Sequence, residues 1–69
     1  MFNYDDLKKT ILDLRKAHVP AVVVEADQLS ALEILEEQVI DICNEIGLQV
    51  ICERSDFQLK IRNLYFSNN

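Results

Sequence analysis

The sequence predicts a small α/β (α+β) domain of order α-β-α-β-β: a three-stranded mixed sheet with two helices packed on one face. Three observations predict it. Two stretches, one over residues 4–18 and one ending near Ile46, repeat their apolar residues at three- and four-residue steps. Between them lies a run of three β-branched residues, Val22, Val23 and Val24. Near the end the chain alternates, with Phe57, Leu59 and Ile61 facing one way and Gln58, Lys60 and Arg62 the other. One glycine and one proline in 69 residues leave few tight turns, which argues against a small all-β barrel. A chain of this length makes one domain, residues 1–69, of which 66–69 are expected to fray.

The first helix carries Tyr4, Leu7, Ile11, Leu14 and His18 on one face. Asn3 supplies a cap, Asp5 and Asp6 sit in the first turn, and Arg15, Lys16 and His18 sit near the last, each charge matching the helix dipole. Pro20 ends it, because the residue before a proline is pushed out of the α region. Residues 21–26, Ala-Val-Val-Val-Glu-Ala, follow as a strand whose valine run suits burial on both faces, as in a central or parallel strand.

Asp27 or Ser30 is expected to cap the second helix, which Gly47, the only glycine, closes. Its inward ridge is Leu32, Leu35, Val39, Ile42, Cys43 and Ile46, extended by Leu29, with Ile34 and Ile40 off the ridge. Residues 48–53 and 57–62 form the remaining strands around a turn at Ser55-Asp56. That turn sets Cys52 opposite Leu59 and Val50 opposite Ile61 on the core face. Glu53/Gln58, Ile51/Lys60 and Gln49/Arg62 are then the pairs on the outer face. The β-α-β unit should cross over right-handedly with its strands parallel, and the last strand returns antiparallel, on an edge or between the other two.

Charge is segregated. The formal net charge is −5, yet no Lys or Arg occurs between Lys16 and Arg54, where Glu25, Asp27, Glu33, Glu36, Glu37, Asp41, Glu45 and Glu53 fall. Glu33, Glu37, Asp41 and Glu45 recur every four residues on the second helix, with Glu36 beside them. Like charges at that spacing cost about 0.2–0.5 kcal/mol a pair, so the three pairs of the row cost on the order of 1 kcal/mol, and stability alone would put a lysine at one of these positions. The bland account is a solvated face relieved by Lys8, Lys9, Arg15 and Lys16 of the first helix. The functional account is a surface for a basic partner.

Chemistry finds little support. No apolar run is long enough to span a bilayer, and the first residues lack the features of a cleaved leader, so a cytoplasmic site is expected. Cys43 and Cys52 fit that compartment as free thiols. The acidic row is exposed, so neither carboxylate of a pair is desolvated as acid–base catalysis requires. His18 reads as a helix cap, Cys43 as a core residue, and Gly47 stands too alone to cradle a phosphate. No His or calcium-type loop accompanies the carboxylates, so no metal or cofactor is expected, and no enzymatic activity.

The expected function is that of a non-catalytic protein-interaction module, a small regulator or inhibitor that presents Glu33, Glu36, Glu37, Asp41 and Glu45 to a protein with a basic surface. An alternative is a nucleic-acid-associated regulator using Gln49, Gln58, Lys60 and Arg62 on the open sheet face. The acidity of the chain and the lack of stacking aromatics there disfavour direct binding. A further alternative is a nucleic-acid mimic whose carboxylates, about 6 Å apart along the helix, imitate phosphates. Ile51, Leu64, Tyr65 and Phe66, with part of the valine run, form a candidate patch for a homodimer.

Overall fold

The computed structural model describes residues 3–65, which form α1 (Tyr4–Lys16), β1 (Ala21–Glu25), α2 (Leu29–Ile46), β2 (Ile51–Ser55) and β3 (Gln58–Arg62). This is the expected small α+β fold. The strands lie in the order β1-β3-β2, so β3 occupies the gap between the two strands joined through α2. Both ladders are therefore antiparallel, where a mixed sheet was expected. β1 and β2 do run parallel, but they do not touch. A two-residue turn holds β3 beside β2, and the slightly stronger antiparallel pairing then serves β1 as well.

α1 begins as its sequence dictates. The Asn3 side chain accepts from the Asp5 N–H at 2.9 Å. It ends two residues earlier than the periodicity suggests, because His18 turns left-handed at φ 59°. The His18 N–H then donates to the Arg15 carbonyl and the Val19 N–H to the Leu14 carbonyl, at 3.1 and 3.0 Å. α2 closes with the same paired bonds, from Gly47 to Asn44 and from Leu48 to Cys43, with Gly47 at φ 75°. Its start differs from expectation. Gln28 holds the capping position without a side-chain hydrogen bond, and neither Asp27 nor Ser30 caps.

The β2–β3 register is two residues away from the one the sequence suggests. Asp56 adopts φ 55° at the first turn position, which Asp tolerates better than most residues, so Ser55 faces Gln58 across the turn Asp56-Phe57. Phe57 is consequently exposed at the hairpin tip rather than facing the core. Cys52 faces Ile61 and Arg54 faces Leu59, while Gln49 and Val50 precede the sheet. A shift of two preserves which face each side chain occupies, so Leu59 and Ile61 are buried as expected.

The core lies between the helices and one face of the sheet: Leu7 and Ile11 from α1, Leu32, Leu35, Val39, Ile42 and Cys43 from α2, then Leu48, Leu59, Ile61 and Leu64. Asn63, at φ 69°, turns the chain after β3 and sends Leu64 inward, where 1% of it is exposed. Burying each such side chain contributes roughly 1.5–3 kcal/mol. The opposite face stays open. Its cross-strand rows are Ala21–Arg62–Ile51, Val23–Lys60–Glu53 and Glu25–Gln58–Ser55. β1, expected to be buried on both faces, is an edge strand with Val23 54% exposed.

Candidate functional site

α2 positions the acidic row. Its apolar ridge anchors one side of the helix in the core, and the opposite side carries Glu33, Glu37, Asp41 and Glu45 into solvent, with half-buried Glu36 on the flank. The ends of the row are neutralised by the chain itself. Lys8 Nζ lies 2.8 Å from Glu45 Oε1, and the Tyr4 hydroxyl donates to Glu45 Oε2 at 2.9 Å, so the start of α1 is clipped to the end of α2. Arg54 Nη1 lies 3.0 Å from Glu33 Oε1, and its Nε lies 3.1 Å from Glu36 Oε1. The hydrogen bond from Lys8, that from Tyr4 and the Lys8 charge hold the Glu45 carboxyl below its usual range. The Tyr4 phenol is raised, chiefly by its bond to Glu45.

Lys8 is one of the cations the sequence offers as relief. Arg54 is not, because it reaches the helix only in the shifted hairpin register: opposite Leu59, it is on the helix side of the sheet. No charge signal in the sequence singles it out. In the middle of the row Glu37 and Asp41 remain, exposed and without an ion pair among the described residues. Ile40, three residues from Glu37 and beside Asp41, is 40% exposed. The outward centre of α2 is thus a pair of free carboxylates next to an aliphatic side chain.

The other expected sites fare differently. Gln58, Lys60 and Arg62 do share the open face, but Gln49 lies outside the sheet and Ile51 takes its place beside Arg62. Arg62 Nη1 pairs with Glu53 Oε1 at 2.7 Å, and Gln58 donates to Glu25 Oε1 at 2.9 Å. Arg62 holds the Glu53 carboxyl below its usual range. Two acids therefore accompany the two cations on that face, and no aromatic residue stands in its rows. Of the candidate self-association patch, Ile51 and Tyr65 are exposed, Leu64 is withdrawn into the chain's own core, and Phe66 lies outside the described residues.

His18 serves as the left-handed residue of the α1 terminus. Burial, helped by the nearby Cys52 sulfur, pushes the Cys43 thiol up to about 11, and burial followed by the Glu36 charge raises Cys52. Both cysteines are free thiols, and at neutral pH Cys43 is held in its protonated, weakly nucleophilic form. Among the described residues no group of three or more His, Cys, Asp or Glu side chains is placed to hold a metal ion, and no helix is long and apolar enough to cross a membrane. No family model, curated protein or solved structure matches the chain, so geometry alone carries the functional reading.

Proposed function

We propose that this chain is a non-catalytic interaction module, a small regulator or inhibitor that applies the outward face of α2 to a protein with a basic surface. The observation that supports it is the uncompensated pair Glu37 and Asp41 beside exposed Ile40. Arg54 and Lys8 neutralise Glu33, Glu36 and Glu45, and among the described residues no cation pairs with the middle of the same row. Glu33 and Glu45 are still half-exposed, so they add to the field around that centre. A basic surface with an apolar seat for Ile40 matches it in charge and in shape, and long-range attraction to such a surface speeds encounter.

The test is affinity capture from the source cell with the wild type, Glu37→Gln/Asp41→Asn and Ile40→Ser side by side. A partner bound through this face is retained by the wild type, released progressively as salt screens the pair, and lost with both variants. A captured set that is the same for all three, with the same salt response, would sink the reading.

A further inference from the structure

The two edges of the sheet differ in kind. β2 carries Glu53 and Arg54 in its middle, charges of the sort that keep an edge from pairing with another chain. β1 reads Ala-Val-Val-Val-Glu, with no lysine, no proline and no charge before Glu25. Its composition is that of a central strand, yet among the described residues it has a neighbour on one side only. The Ala26 N–H donates to the Phe57 carbonyl at 3.1 Å, and antiparallel bonding alternates, so Val22 and Val24 also face β3. Ala21, Val23 and Glu25 direct their backbone N–H and C=O groups outward.

We infer that β1 is the interface for a second copy of this chain, paired antiparallel about a two-fold axis at Val23 to make one six-stranded sheet. This does not rest on the acidic-face reading. The pairing sets Val23 against Val23 and Ala21 against Glu25 in both directions, which engages every outward backbone group of β1 and places no carboxylate opposite another. On the open face the rows become Glu53–Lys60–Val23–Val23–Lys60–Glu53 and Ser55–Gln58–Glu25–Ala21–Arg62–Ile51. Small Ala21 then stands between Glu25 of one copy and Arg62 of the other, which brings opposite charges toward each other across the junction.

The helix side supplies apolar area beyond the strand itself. α2 has 18 residues against 13 in α1, and the cavity that Leu7, Ile11 and Leu14 of α1 share with α2 reaches Leu35 and Val39 but not Ala31 or Ile34. An apolar groove of about 460 Å³ lies between Val24, Ala26, Ala31, Leu35 and Ile34, directly above the bare edge. Ile34 is 59% exposed, the most of any large apolar side chain described. Across the axis Val24 meets Val22 of the second copy, and the groove receives the apolar segment that leads into that strand.

Sedimentation of the full chain should give twice 8.0 kDa at high micromolar concentration. Val23→Pro removes an N–H that β3 does not use, so it should sediment as a monomer with an unchanged circular dichroism spectrum. Val23→Cys provides a test independent of how the proline is tolerated. Hydrogen-bonded antiparallel partners have Cα atoms about 5.5 Å apart, within disulfide reach, so mild oxidation should yield covalent dimer, whereas Ile51→Cys should not. A wild type that stays monomeric overturns the inference and leaves the edge to another protein's strand or to the chain's own last residues. A dimer that cross-links through Ile51→Cys and not Val23→Cys overturns it too, and assigns the contact to the open face.

Discussion

α1 begins on a side-chain cap, with Asp5 and Asp6 in its first turn and Arg15 and Lys16 in its last. α2 begins on Gln28 with no side-chain bond, has no acid in its first turn and no base in its last, and places Glu45 in the last turn, where the dipole opposes it. The first helix satisfies local rules; the second satisfies almost none apart from Gly47. What holds α2 is tertiary: five buried residues on one side, with Lys8 and Arg54 arriving from elsewhere to supply the cations it lacks. A helix that departs from local preference while its neighbour obeys it is where a functional surface is to be sought, and the proposed interaction lies on that helix.

The reliance of α2 on tertiary support should show most strongly in the core. Ile42→Ala should cost about 2–5 kcal/mol, because the side chain is fully enclosed and α2 has little local stability to fall back on. Chemical denaturation followed by circular dichroism measures this directly. A loss well under 1 kcal/mol would mean that α2 holds itself together. In a domain of this size a loss within the expected range approaches the whole of the stability.

The two helix ends close on the same hydrogen bonds with different residues. Gly47→Ala meets no atom within 4 Å of the added carbon, so its cost is the left-handed backbone alone, about 1 kcal/mol. His18→Gly removes the same strain from α1 and should raise the melting temperature by about 4–8 °C, the shift that corresponds to roughly 1 kcal/mol. If both substitutions destabilise, the His18 side chain contributes more than its backbone conformation costs.

The smallest effect is electrostatic. Lys8 and Tyr4 depress the folded-state pKa of Glu45, so its contribution is complete above the unfolded carboxylate value and is lost as the pH falls through the folded one. The melting temperature of the wild type should therefore drop more steeply on acidification than that of Glu45→Gln. Parallel curves would show that the clip between the two helices adds nothing measurable, as exposed pairs often do not.

Much of this architecture was legible before any coordinates. Asn3, Pro20 and Gly47 mark boundaries by well-defined backbone chemistry, and spacing alone picks out the five buried residues of α2, although it also takes in Leu29, which is 48% exposed. The hairpin was less legible. Asp56-Phe57 is not one of the glycine-bearing pairs that announce a two-residue turn, and a phenylalanine in register with Leu59 and Ile61 reads as strand. That two-residue shift left the core intact but carried Arg54 beneath Glu33 and Glu36, so the charge balance of the candidate site was misjudged where the fold was not. The edge position of β1 escaped for another reason. A valine run states that a strand prefers to be covered, not which molecule covers it.

The insertion of β3 between two strands that never meet has a consequence for how the molecule is made. A nascent chain leaving the ribosome cannot begin its sheet at β1, nor extend it when β2 emerges, since neither strand finds its neighbour until residues 58–62 are free. Assembly of the sheet therefore waits on its central member, and a fragment ending before Gln58 would hold two separated strands with nothing to join.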